Sequence, residues 1–353
     1  MSVFRRLPGM DFELSADQVA LQEAARDLLD KLASRERVRA AMARNGASDR
    51  ELWRAMVDQG WTALEVPADE GGLGLGMVEG AVLLEEVGRH VAPAPFLGTL
   101  LAIGALRAAG PGGQAASWAE ELVSGEAVGC VAADLAAPVI GVPEADVAVV
   151  VRGKGLVAVD LRAGPGRPAP EPAMDQTRQL GWLTLEGREV VEVGGAAQAT
   201  ALLERGAVAH AAELLGGSSA VLEMSVAYAK DRVQFGKPIG SFQAIKHRCA
   251  DMLVDVEGMR SAVYHAAWCL AAGSSEASIA ASTAKTWCSD AARRVTASGL
   301  QVHGGIGFTW EHDLHLFLKR AQLDQVSFGD ATFHRRRLAG LLRARVIAGE
   351  TVV

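Results

Sequence analysis

Between Lys230 and Trp268 the sequence Lys-Asp-Arg-Val-Gln-Phe-Gly-Lys-Pro-Ile-Gly-Ser-Phe-Gln opens into an Ala-rich helical pattern. Arg232 and Lys237 place fixed positive charge at the loop, and the N–H groups at the start of the following helix also favour an anion. Phosphate is the natural guest of such a loop. A solvated turn between two helices is the competing reading, because short motifs recur by chance. A second glycine cluster, Glu70-Gly71-Gly72-Leu73-Gly74-Leu75-Gly76, suits close backbone approach but lacks a strong preceding strand and reads as a turn. The other chemistry-bearing side chains are dispersed. His210 and His303 carry the side chain that titrates near neutral pH, but a lone His in an Ala-rich helix reads as structural. Glu204 and Glu213 read as solvated or capping charges.

These residues need helices to hold them. Gly236, Pro238 and Gly240 interrupt one helical pattern, and Ile245, Cys249, Met252, Leu253, Val256, Met259 and Val263 resume it at helical spacing, with Ser241 as the expected N-cap. Upstream, Ser15-Ala16-Asp17-Gln18 is a capping-box pattern that starts a helix, and another helix is expected from about Asp49 to Gly60. A helix follows over Val78 to His90, with Glu85 and Glu86 on a solvated face or at a cap. The pattern stays helical from Pro93 to about Glu126, apart from a break at Gly110 to Gly113. Four Val-rich runs then predict a small β domain: Val128 to Ala132, Val147 to Val151, Gly155 to Val159 and Val190 to Val193. The Gly/Pro-rich stretch from Gly164 to Pro172 reads as a surface excursion. From about Thr200 helical periodicity returns, through Ala209 to Lys230, Phe242 to Ala272, Ser278 to Ala297 and His334 to Ala348.

At 353 residues the chain is long for one core, and half of its residues are hydrophobic while only 5% are aromatic, which suits closely packed helices. The net charge of -7 and the lack of a long basic run argue against nucleic acid and anionic membrane surfaces. Cys130, Cys249, Cys269 and Cys288 lie singly, so reduced core thiols are expected and neither a disulfide framework nor a metal site is. Met1 to Met10 holds Arg5 and Arg6 without a following apolar run, and no apolar run reaches membrane-spanning length, so a cytoplasmic protein is expected.

Arg232, Phe235, Gly236, Ile239 and Gln243 resemble the Arg-x-x-Phe-Gly-x-x-Ile/Leu-x-x-x-Gln pattern of the acyl-CoA dehydrogenase family. Gln301-Val302-His303-Gly304-Gly305-Ile306-Gly307-Phe308 is similar to the family's Gln-x-x-Gly-Gly-x-Gly-Phe, and the two stand in the family's order. The resemblance implies a mainly α fold with a small β domain: an N-terminal helical domain over 1–126, a reduced β domain over 127–199 and a C-terminal four-helix bundle over 200–353. It also implies FAD as cofactor, an acyl-CoA substrate and an electron-transfer acceptor. Arg232, Phe235, Gln243, Gln301, Gly304 and Gly305 become the expected cofactor-binding residues, with Arg232 and Gln243 reaching across a subunit interface to a neighbour's FAD.

Family members remove a proton beside the thioester carbonyl with a desolvated carboxylate while a hydride leaves to the flavin. Most carry that base as Glu in a Tyr-Glu-Gly-Thr run, where this chain has Phe328-Gly329-Asp330-Ala331, so Gly329 holds the position and Asp330 lies one residue on. Others carry Glu immediately before Arg on an earlier helix; Glu204-Arg205 is similar but about two residues too far upstream. Glu213 lies in the same helical region, and the catalytic residue is left unassigned. The family's Thr/Ser-Glu-Pro-x-x-Gly-Ser-Asp run is replaced by Ala132-Ala133-Asp134-Leu135-Ala136-Ala137-Pro138. Residues for a neighbour's FAD are thus present, while those for the chain's own flavin ring and base are weak, with Asp330, Glu204 and Glu213 as candidates for the base. That combination resembles the shortened subunits of heteromeric acyl-CoA dehydrogenases from sterol-degrading actinobacteria. The expectation is α,β-dehydrogenation of a bulky, steroid-like acyl-CoA with a second acyl-CoA dehydrogenase-like subunit. A catalytically silent scaffold and a flavin monooxygenase of the same fold are the alternatives.

Overall fold

The computed structural model describes residues 13–350, so the N-terminal reading of Met1 to Met10 lies outside the described residues. Six helices come first: α1 (Ala16–Leu32), α2 (Arg35–Ala43), α3 (Arg50–Asp58), α4 (Met77–His90), α5 (Phe96–Arg107) and α6 (Gly113–Val123). Local chemistry starts two of them where the sequence places their caps. Ser15 and Gln18 form the reciprocal capping box of α1, and the Asp49 carboxylate accepts from the Glu51 and Leu52 N–H groups at the start of α3. The glycine cluster after Pro67 is a turn, as expected.

The Val-rich runs become β1 (Gly129–Ala132), β3 (Val147–Arg152), β4 (Gly155–Asp160) and β6 (Val191–Gly194), with β2 (Val139–Ile140) and β5 (Leu180–Gly181) forming a separate two-stranded ladder. The four strands make one sheet in the order β1-β3-β4-β6, parallel between β1 and β3 and antiparallel elsewhere. Both faces are buried, which explains runs of Val instead of a polar alternation. Val147, Val149, Leu156 and Ala158 join the main core, whereas Ala148, Val150, Val157 and Val159 line a smaller core with Cys130 and Val142.

The C-terminal bundle is built on α7 (Ala196–Asp231), α8 (Gln243–Ala271) and α9 (Ala277–His303), with α10 (Leu314–Val326) and α11 (Ala331–Ala348) packed against α9. Helices α4 and α7 touch backbone to backbone. A Cβ on Gly88 would collide with the Glu213 carbonyl, and one on Gly216 with the Glu85 carbonyl, so glycine at both positions permits the crossing. The molecule is therefore mainly helical with a small sheet, as expected. Among the described residues no helix is long and apolar enough to cross a membrane. The four thiols are free, and burial pushes Cys130 up to about 12.

Two local expectations are corrected. Ser241 does not cap α8: a 3-10 turn over Ile239–Ser241 moves the start on by one residue, and Phe242 holds the cap position without a side-chain bond. Glu85 and Glu86 are not solvated. Glu85 accepts from Arg260 and Tyr264, each at 2.7 Å, and Glu86 accepts from Arg26 at 2.6 Å, because α8 and α1 cover that face of α4.

Candidate functional site

Helix α7 ends at Asp231 and a two-residue hairpin follows, β7 (Val233–Gln234) and β8 (Lys237–Pro238), paired antiparallel. Phe235 and Gly236 form its tip with φ of 53° and 77°. Such a turn favours Asn-Gly, and a phenylalanine in the left-handed region costs about 1–2 kcal/mol. The ring gains little within the chain in return, being 92% exposed with one edge-on contact, to the Phe242 ring at 6.1 Å between centres. Arg232 is exposed and makes no side-chain hydrogen bond or ion pair among the described residues. Gln243, the first residue of α8, is likewise exposed. Lys237 is not free: its ammonium lies 4.4 Å from the centre of the Phe242 ring.

The second motif sits at the end of α9. His303 stacks on Tyr228 of α7 with ring centres 4.5 Å apart, which ties the end of α9 to the end of α7 and brings both motifs to one end of the bundle. Burial lowers the His303 pKa, consistent with the structural reading of this ring. Gln301 and Gly305 are exposed, Gly304 turns the chain at φ 63°, and no neighbouring atom stands where a Cβ of Gly304 or Gly305 would go. Ile306, Phe308 and Trp310 are exposed beside them, Phe308 by 72%. Exposed apolar side chains and a strained turn thus lie together at this end of the bundle.

A cavity of about 550 Å³ lies elsewhere, between α5, β1, α7 and α10, and none of the six residues above lines it. Gly329 stands on its edge with φ 93° and the Phe333 ring against the space a Cβ would take, so a carboxylate here would strain the backbone and displace that ring. Asp330 caps α11 by accepting from the Phe333 N–H at 2.7 Å. Glu204 is buried and bonded to Arg337 and Ser278. Two residues on, Gly206 carries the Phe328 ring directly on its backbone. Each weak candidate for the base is thus committed to structure; Gly329, on the edge of the cavity, has no side chain, and Gly206 is covered by Phe328.

Glu204 and Glu213 are also corrected as solvated or capping charges, since both are buried ion-pair partners. Arg178, in the segment before β5, reaches Glu213 at 2.5 Å and Asp324 at 3.0 Å, and His210 Nδ1 lies 3.0 Å from the same Asp324 oxygen. Arg320 donates to Asp175 at 2.7 Å and to Thr177 at 2.5 Å, and Lys285 donates to the carbonyls of Asp324 and Gln325 near the end of α10. Burial would raise Asp324, but Arg178 and His210 outweigh it and hold the carboxyl below the ordinary range. Glu213 shifts upward through burial, against the pull of Arg178. Burial also brings Lys285 down to about 8. His210, Glu213 and Asp324 have the composition of a metal cluster, with ligand atoms within 4.8 Å of one another, yet the Arg178 guanidinium occupies the cation's place. The sequence contains no signal for this network, because its members are spread from Asp175 to Asp324 and meet only after folding.

The comparisons with known proteins agree with this architecture. The models of the acyl-CoA dehydrogenase N-terminal and C-terminal domains match residues 15–126 and 194–342. The acyl-CoA dehydrogenase IpdE2 of Mycolicibacterium smegmatis is 38% identical over 331 residues, covering 92% of this chain and 98% of that protein. The chain belongs to the acyl-CoA dehydrogenase family. Members of this family are oxidoreductases acting on the CH–CH bond of acyl-CoA. IpdE2 of Mycobacterium tuberculosis is 39% identical over 85% of this chain and 89% of its own length. Among solved acyl-CoA dehydrogenase structures, the steroid ACAD Tcur3481-Tcur3483 superposes with a TM-score of 0.86 at 29% identity, covering 94% of this chain and 99% of its own. The ChsE4-ChsE5 complex from Mycobacterium tuberculosis does so with 0.84 at 28% identity, covering 95% and 99%.

Proposed function

We propose that this chain is one subunit of a heteromeric acyl-CoA dehydrogenase, completing the FAD site of a catalytic partner that dehydrogenates a bulky, steroid-like acyl-CoA. The observation that carries this reading is the contrast between two sites. The motif face is exposed and carries the unengaged Arg232 beside apolar side chains, while both positions for a base are glycines covered by Phe328 and Phe333. The similar structures titled as a steroid ACAD and as a two-component complex support it further.

The residues present fit FAD on the motif face. Arg232, Gln243 and Gln301 would hold its polar half together with the backbone of Gly304 and Gly305, where there is open space for close approach. Phe235 would add apolar cover. FAD supplies the hydride acceptor for the partner's chemistry, and the reduced flavin then needs an electron acceptor. The chain's own cavity does not fit the flavin, since residues 132–138 contain no hydroxyl side chain and bring a carboxylate, Asp134, to the lining.

The test is the visible spectrum and native mass of the chain purified alone and co-expressed with a neighbouring-gene acyl-CoA dehydrogenase. Colourless protein alone and a yellow mixed oligomer are expected; a flavin-bearing oligomer of the single chain overturns the reading. Arg232→Ala separates it from a silent scaffold, because the variant should lower flavin occupancy in the complex, whereas a scaffold would leave occupancy unchanged.

A further inference from the structure

Arg232 and the glycines at the end of α9 stand on different helices, so a ligand they share needs the two helix ends held in register. Arg232 follows the last turn of α7, its N–H donating to the Tyr228 carbonyl at 2.8 Å, and Gln301 and Gly304 flank His303 at the end of α9. The Tyr228 and His303 rings stack at 4.5 Å with 22° between their planes, and the His312 ring meets His303 edge-on at 4.7 Å. The turn over Gly304–Phe308 folds back on the same residue, so closely that a Cβ on Gly307 would lie 3.0 Å from the Cβ of His303. Rings from α7, from α9 and from the segment before α10 therefore converge where the motif glycines begin.

His303 serves this convergence as a neutral ring. Its Nδ1 lies 2.9 Å from the Gly299 carbonyl, which can only accept, so Nδ1 carries the proton and Nε2 is the nitrogen left to gain one. Among the described residues Nε2 has no hydrogen-bond partner, and His303 is 4% exposed. The titratable groups that face the ring are the Tyr228 phenol from α7 and the His312 imidazole, and among the described residues no carboxylate bonds to either imidazole. Burial is the main cause that lowers the His303 pKa, and His312 adds to it against the pull of the Gly299 bond. A second proton on this ring is costly while the rings stay packed, and opening them to water removes the cost.

We infer that Tyr228, His303 and His312 form a clasp that positions the FAD cradle, fixing the backbone of Gly304 and Gly305 relative to Arg232, and that the clasp holds while His303 is neutral and loosens when it is charged. The inference rests on the FAD reading above and deepens it. The three rings are positioning residues, since they act through Arg232 and the glycine backbone.

The experiment uses the mixed complex with the neighbouring-gene acyl-CoA dehydrogenase, stripped of flavin and titrated with FAD at pH 7.5 and 5.5. Tyr228→Leu removes one ring from the stack and should weaken FAD binding about tenfold at pH 7.5, whereas Tyr228→Phe keeps the ring and should stay within about twofold of the parent. The parent should hold FAD at least about threefold more weakly at pH 5.5, and His303→Phe, which stacks but cannot charge, should abolish that acid loss. This pH comparison decides the matter where Tyr228→Leu does not fold, and a ring with a merely structural role would not move it. Equal FAD affinity of the parent and Tyr228→Leu overturns the inference and leaves the FAD reading intact. So does a parent affinity that does not change with pH, or an acid loss that persists in His303→Phe. A complex that takes up no FAD overturns the FAD reading itself, and the inference falls with it.

Discussion

Replacing Arg178 by Met tests the buried network most directly. Arg178 is 8% exposed, and the side chains of its partners Glu213 and Asp324 are 0% exposed. Removing the guanidinium leaves two carboxylates in the interior with His210 as the remaining neighbour of Asp324. Breaking one buried ion pair from one side costs about 3–5 kcal/mol, because the other charge stays unsolvated. For a chain of this length the unfolding entropy is on the order of 0.7 kcal/mol/K, so that loss lowers the melting temperature by about 4–7 °C. The pH dependence gives a second signature. In the parent chain Asp324 is depressed, so its contribution is present above the unfolded carboxylate pKa and lost as pH falls through the folded one. In Arg178→Met both acids titrate above their unfolded values, the native state binds the extra protons, and stability should rise as pH falls from neutral towards 5. Thermal unfolding by circular dichroism at several pH values measures both effects. Adding Glu213→Gln and Asp324→Asn should recover more than half of the loss. A melting temperature within 1–2 °C of the parent, with the same pH profile, would refute the idea that Arg178 holds buried charge.

Gly329→Glu should fail to create a base and should destabilise, by about 1–3 kcal/mol for the left-handed backbone alone and more for contact with Phe333; urea unfolding midpoints of this variant with and without Phe333→Ala measure the two parts. Lys285 titrates at about 8 in the folded chain, while the unfolded chain keeps the proton to an ordinary lysine pKa. The parent should therefore gain stability relative to Lys285→Met as pH rises through that window, by roughly 3 kcal/mol, and parallel pH profiles would exclude the shift. Phe235→Asn should leave the isolated chain unchanged or more stable by up to about 1 kcal/mol, since Asn tolerates a positive φ. The same variant should weaken assembly with a partner, read as the concentration dependence of native mass.

The longer helices and the four Val-rich strands were legible in the sequence because their signals are local, whereas α2, α10 and the short β2–β5 and β7–β8 pairs were not individually expected. Ser15 with Gln18 starts α1 wherever α1 packs, and four Val-rich runs predict strands whatever their order. The motif around Arg232 and Gln301 and the glycine at position 329 are equally visible, since they are matters of residue type and spacing. The fate of the charges was not. Glu85, Glu86, Glu204 and Glu213 look like surface acids on amphipathic helices, yet each is buried against an arginine from a distant segment: Arg260, Arg26, Arg337 and Arg178. Whether a carboxylate faces water or a guanidinium depends on which helix crosses it. The α4–α7 crossing, set by Gly88 and Gly216, brings backbone to backbone at Glu85 and Glu213. Periodicity is a property of one helix, and so the sequence displays it; solvation is a property of the space between helices, and only the folded chain decides it.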